Sequence, residues 1–104
     1  NKSEYILEDG LSSQALELCD EALHLLESNR SQQNEDEWDG YIGWVKAHRA
    51  EALAGSSRQD EAEIELIGAI STIDLALRKS RAPRLRWVLE DAESVAKRIR
   101  SAKP

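Results

Sequence analysis

The two histidines are the side chains of this chain best suited to metal chemistry. Glu21 and His24 have the Glu-x-x-His spacing that places two metal ligands on one helix face in di-iron bundles. Such a site needs a second pair of this kind and two further glutamates, but His48 stands in the reverse order with Glu51. We therefore expect no metal and no other cofactor, and we expect His24 at the surface or its boundary.

The residues around His48 are similar to the helical phosphotransfer domains of two-component signalling, which are four-helix bundles. That family has a basic residue three positions after the histidine and a glycine four positions after it. Here those positions hold Glu51 and Ala52, and an acid beside a phosphorylated nitrogen would repel the phosphate. The residues agree better with a packed or half-buried His48.

The sequence contains no pattern typical of nucleophilic or phosphate-handling enzymes. Cys19 lies on an apolar helical face, where a small buried hydrophobic side chain is the expected role. No Ser-His-Asp or Cys-His arrangement can be argued, and no glycine-rich phosphate loop occurs. We therefore predict that the protein is not an enzyme.

An aromatic cluster is the best candidate for a recognition site. Trp38, Tyr41 and Trp44 recur every three residues and share one face of a predicted helix. They could pack against neighbouring helices or anchor a partner, because tryptophan and tyrosine are enriched among the residues that dominate interfaces. These three residues, with Glu51 or Arg49 beside them, are our candidate partner-binding residues.

The composition and the charge narrow the classes of partner. The 104 residues are enough for one domain with a modest core, and no apolar run approaches the roughly 18 residues of a membrane helix. The net charge is −6, with eleven acids and two bases in residues 1–40 and seven bases and three acids in residues 81–104. An acidic domain argues against nucleic acid. The single Cys19 cannot form an internal disulfide, which favours a reducing compartment, the cytoplasm.

Good helix formers dominate the chain, so we predict an all-α fold of about four antiparallel helices of about 20 residues. The start of the first long helix has two interpretations. It begins at a Ser12 cap after a break at Gly10, or it runs continuously from Ser3 to Ser28.

Local signals place the other three helices. Residues 29–34 are a polar loop in which Asn34 could cap a helix that runs to about Ala54. Ser57 forms a capping-box-like start for a third helix, and Pro83 suits the first position of a fourth. The expected inward positions of the second helix are Trp38, Tyr41, Trp44, Val45, His48, Ala52 and Gly55.

Two stretches of the chain, Gly10 to Leu23 and Ser57 to Ile70, match at an offset of 47 residues. In each, a small residue is followed by alanine, a core residue, a second alanine and an aliphatic residue at the same spacing. Self-similarity at such a period is typical of helical-repeat arrays. The matched pairs are Gly10 and Ser57, Ala15 and Ala62, Cys19 and Leu66, Ala22 and Ala69, and Leu23 and Ile70.

The segment Ala47 to Asp74 resembles a tetratricopeptide repeat, although the offset of 47 exceeds the usual spacing of about 34. The residues at the family's packing and turn positions are Ala50, Leu53, Ser57, Ala62, Leu66 and Ala69. The resemblance implies stacked antiparallel hairpins and a partner groove lined mainly by first helices. The groove positions fall on Trp44, Ala47, Glu51 and Ala54. Because Glu51 replaces a key Asn, a clamp for peptide carboxylates is not expected.

We therefore expect residues 1–104 to form one tetratricopeptide-like helical domain that is a fragment of a longer array, since the chain has no methionine. The expected function is a non-catalytic, cytoplasmic scaffold for a protein or peptide partner, within a larger regulator or sensor in signalling. The oligomeric state stays open. The alternative is a closed four-helix bundle, related to histidine phosphotransfer domains or to small-ligand sensors. In that bundle the first helix would pack extensively on the fourth.

Overall fold

The described residues of the protein form four helices in a computed structural model. The model describes residues 2–29 and 35–101, with side chains from residue 13 onward. The helices are α1 (Lys2–Ser28), α2 (Glu35–Gly55), α3 (Gln59–Ser80) and α4 (Pro83–Ser101). The described residues form no strand, which confirms the all-α prediction. None of their helices is long and apolar enough to cross a membrane.

The helix boundaries follow the sequence signals in most places. The first turn of α2 holds three acids, which complement the partial positive charge of a helix start, and Pro83 opens α4 as predicted. Of the two interpretations of the first helix, the break at Gly10 is wrong and the continuous helix is confirmed, because α1 runs through Gly10 and Ser12 lies inside it. One glycine costs only about 1 kcal/mol in a helix, which a helix of this length tolerates. The predicted cap at Asn34 lies outside the described residues.

Ser57 ends α2 rather than starting α3, so the predicted capping box is wrong. Its backbone is left-handed, with φ of 64°, and the N-cap position of α3 is Arg58, which has no side-chain cap. The Arg58 N–H donates to the Leu53 carbonyl at 2.9 Å, and the Ser57 N–H donates to the Ala54 carbonyl at 3.1 Å. This is the Schellman pattern that satisfies the last carbonyls of a helix.

Helix α2 is central to the packing, because it contacts each of the other three helices and α3 most extensively. The middle of its inner face carries only small side chains, and Ala47 and Ala50 are completely buried. Opposite them lie larger residues of α3 and α4, among them Leu66, Ile73 and Leu85. Among the described residues, α1 packs on α2 and makes no extensive contact with α4.

The inner face of α2 agrees with the predicted one at Ala52 but differs at most other positions, and Gly55, which was predicted to face inward, is exposed. Trp38, Tyr41 and Trp44 are only half-buried. The buried positions of α2 are Gly40, Ile42, Gly43, Ala47, Ala50, Ala52 and Leu53. The small residues face inward because the neighbouring helices approach α2 closely, and a Cβ atom added at Gly43 would lie 2.8 Å from Ile73 Cγ1 and 3.0 Å from the Ala69 carbonyl oxygen.

Two glycine substitutions should have opposite effects on stability. Gly43→Ala should lower the free energy of unfolding by about 1–3 kcal/mol, because the added methyl group meets backbone that cannot move aside easily. Gly68→Ala on α3 meets nothing within 4 Å and should raise the free energy by about 0.5–1 kcal/mol through helix propensity. Urea denaturation of both variants measures the difference. A shift in the same direction for both would contradict the close approach of α2 and α3.

Candidate partner-binding face between α2 and α4

Three polar contacts join α2 to α4 at a constant separation of 47 residues in the sequence. Each step along the chain is seven residues on both helices, so the two helices run in the same direction and present matching faces. The pairs are Glu37 with Arg84 at 2.9 Å, Trp44 with Asp91 at 2.7 Å, and Glu51 with Arg98 at 2.6 Å. We call these six residues the α2–α4 ladder.

The Asp91 carboxylate is the centre of the ladder. The Trp44 Nε1–H donates to Asp91 Oδ2 at 2.7 Å, and His48 Nε2 lies 2.9 Å from the same oxygen. Because an ionised carboxylate only accepts, His48 must carry its proton on Nε2 in this contact. The hydrogen bond from Trp44, followed by that from His48, lowers the pKa of Asp91 below its ordinary value against the opposing effect of burial.

An aromatic pair lies beside this carboxylate. The rings of Trp44 and Trp87 lie 5.2 Å apart with their planes at 73°, an edge-to-face arrangement. Trp44 also makes an edge contact with His48, at 5.8 Å between ring centroids. Trp44 packs partly against the core, whereas Trp87 is 58% exposed. The face therefore presents an exposed indole beside a carboxylate that other side chains hold in place.

Ion pairs flank the centre on both sides. Arg98 binds Glu51 through Nε at 2.6 Å and Nη2 at 3.2 Å, and these bonds raise the pKa of Arg98 above its ordinary value. At the other end, Glu37 accepts a hydrogen bond from the Tyr41 hydroxyl at 2.8 Å. Burial, and then this bond, raises the pKa of Tyr41. Exposed ion pairs contribute about 0–1 kcal/mol each, so their main effect is to fix side-chain positions.

The four predicted site residues do not all lie on this face. Trp44 and Glu51 belong to the ladder, and Tyr41 joins its end through Glu37. The indole N–H of Trp38 instead donates to the Leu26 carbonyl oxygen at 2.6 Å. This bond joins α2 to α1. Trp38 also packs edge-on against Tyr41, with 5.9 Å between the ring centroids.

Other residues singled out in the sequence lie away from the ladder. Arg49 links three helices, because it donates to Asp20 of α1 at 2.9 Å and to Glu65 of α3 at 2.6 Å. Cys19 is half-buried rather than fully buried, and its burial raises the pKa of its thiol. His24 is exposed. No group of three or more metal-ligating residues occurs within the described part of the chain.

The contribution of α4 to this face was missed in the sequence. Trp87 falls outside the apolar stripe of α4, and Asp91 and Arg98 are ordinary charged residues of a helix with one polar side. One signal could have found two of them, because counting 47 residues on from Trp44 and Glu51 leads to Asp91 and Arg98.

Comparison with known proteins finds no counterpart: no protein-family model matches the chain, and no curated protein or solved structure matches it.

Replacing Asp91 should reveal a pH-dependent contribution to stability. The pKa of Asp91 is lowered in the folded protein, so its charge stabilises the fold at neutral pH and this contribution is lost as the pH falls below the ordinary value of 3.8. At neutral pH, Asp91→Asn should lower the free energy of unfolding by about 1–2 kcal/mol. At about pH 3 the difference from the wild type should shrink.

Chemical denaturation at both pH values measures this difference, and Glu93→Gln is the matched control, an exposed carboxylate on the same helix. A difference of equal size at both pH values would contradict the role given to the Asp91 charge. So would an equal effect of Glu93→Gln.

Proposed function

We propose that this chain is a non-catalytic scaffold for a protein or peptide partner, which it binds on the face between α2 and α4. In this proposal the four helices are tetratricopeptide-like hairpins of a larger cytoplasmic regulator or sensor in signalling. The observation that carries the proposal is the exposed indole of Trp87 on α4, which packs against Trp44 on the parallel helix α2. Asp91 accepts a hydrogen bond from Trp44 and so fixes the position of that ring.

The burial pattern supports a repeat of 47 residues. Six half-buried positions of α1 each lie 47 residues before a buried or half-buried position of α3. Helices α2 and α4 have the same offset through the ladder. In this proposal, both helices of the first hairpin correspond to both helices of the second. The six positions of α1 are Ala15, Leu16, Cys19, Ala22, Leu23 and Leu26, and those of α3 are Ala62, Glu63, Leu66, Ala69, Ile70 and Ile73.

The assignment of the face follows from that repeat. If α1 and α3 are equivalent second helices, then α2 and α4 are the first helices that would line the groove of a tetratricopeptide-like stack. Tryptophan side chains suit this position because they bury a large area at a small cost in conformational entropy. With 58% of its surface exposed, Trp87 can contact a partner without a rearrangement of the core.

The closed bundle and the phosphotransfer reaction receive less support. A closed bundle would pair α1 with α4, whereas within the described residues these helices make no extensive contact. The hydrogen bond to Asp91 occupies Nε2 of His48, so only Nδ1 keeps a lone pair for a phosphoryl group. A phosphoryl group on Nε2 would lie beside the Asp91 carboxylate, and the two negative charges would repel each other.

Selection from a displayed peptide library on the immobilised protein tests the proposal. We expect enriched peptides whose affinity falls about tenfold or more in Trp87→Ala, the loss typical of a dominant interface residue. The melting temperature should stay near that of the wild type, because Trp87 is mostly exposed. The matched control is Ile64→Ala, which removes another exposed apolar side chain, 74% accessible, on α3. Failure to enrich peptides, or binding that Trp87→Ala leaves unchanged, would overturn the proposal.

A further inference from the structure

We propose that the face between α2 and α4 recognises a cationic side chain of its partner, an arginine or lysine, between the Trp87 indole and the Asp91 carboxylate. This inference rests on the proposed function and adds the chemistry of the ligand.

The Asp91 carboxylate can accept further hydrogen bonds. Asp91 keeps 30% of its side-chain surface exposed, and the bonds from Trp44 and His48 both end on Oδ2. An ionised carboxylate has about four acceptor positions. It can therefore accept N–H groups of a guanidinium or an ammonium ion from solvent without losing the bonds that orient it.

An edge-to-face contact between two indoles covers a face of only one of them, and Trp87 is 58% exposed. Tryptophan attracts cations to its ring face more strongly than tyrosine or phenylalanine does. A planar guanidinium can stack on the Trp87 ring while its N–H groups reach toward the carboxylate.

The two arginines of the ladder are each paired, Arg84 with Glu37 at 2.9 Å and Arg98 with Glu51 at 2.6 Å. The donors to Asp91 in the middle are an indole and an imidazole. Among the described residues, the middle of the ladder therefore carries a carboxylate to which no arginine or lysine is directly bound, although the charge of Arg98 acts on it from further away.

Titration of the whole protein with defined peptides, followed through the indole N–H signals in ¹⁵N NMR spectra, tests the inference. The probe is acetyl-Gly-Gly-Arg-Gly-Gly-amide, and its matched neutral form has citrulline in place of arginine. The arginine peptide should shift the Trp44 and Trp87 signals in a saturable, salt-sensitive manner, and the citrulline peptide should bind at least about threefold more weakly. The Trp38 signal is an internal control, because that N–H bonds to Leu26 at the junction of α1 and α2.

Two variants locate the site. Trp87→Leu should abolish the shift of the Trp44 signal, and Asp91→Asn should weaken binding of the arginine peptide while Glu93→Gln leaves it unchanged. Asp91→Asn also alters the bond to Trp44. If that variant unfolds, Trp87→Leu gives the decisive result. Equal binding of the arginine and citrulline peptides would overturn the inference, and so would the absence of any shift.

A third peptide, acetyl-Gly-Pro-Pro-Pro-Gly-amide, separates this inference from the proposed function. If it shifts the Trp87 signal and the arginine peptide does not, the face binds peptides through an aromatic surface suited to proline, and only the inference about the cation fails. If library selection also yields no peptide that depends on Trp87, the proposed function fails with it.

Discussion

The close approach of α2 to its neighbours is the constraint on which the rest of the structure depends. Ala47 and Ala50 are completely buried in the centre of the core, and Gly43 lies against the backbone of α3. Helices can approach this closely only where side chains are short, and a tightly packed interface tolerates few alternative alignments. The small residues of α2 therefore determine where α3 and α4 can lie along it.

The polar face is a consequence of that alignment. Once the core holds α2 and α4 in parallel, residues 47 apart in the sequence become neighbours, and Trp44 meets Asp91 while Glu51 meets Arg98. The free energy of an exposed ion pair is too small to set the alignment of two helices. The buried side chains of α4, led by Leu85 and Val88, contribute more, because each buries far more apolar area. The contacts of the ladder are thus a result of the alignment of α2 and α4 and not its cause.

The parts of the fold that were predicted correctly are those that depend on local sequence. Helix number and most helix ends follow from residues that act within one or two turns, such as Pro83. The predicted start of α3 was wrong because Ser57 takes part in ending α2. In the sequence alone, a serine at this position could end the first helix or cap the next. The predicted inner face of α2 was largely wrong for a different reason. Hydrophobicity favours Trp38 and Trp44 as core residues, but the middle of the buried face of α2, at Gly43, Ala47 and Ala50, has room only for very small side chains.

This division of roles separates the stability of the fold from the chemistry of the candidate site. The fully buried side chains of the described core are aliphatic, so the fold does not require an aromatic residue at the position of Trp87. A tryptophan that is 58% exposed adds little to the core, and Asp91 stabilises the fold through its hydrogen bonds to Trp44 and His48 rather than through apolar burial. In the proposed function, the exposed side chain of Trp87 contacts a partner, as tryptophan often does at interfaces. The same reasoning places Trp38 with the fold, since its bond to Leu26 joins two helices within the chain.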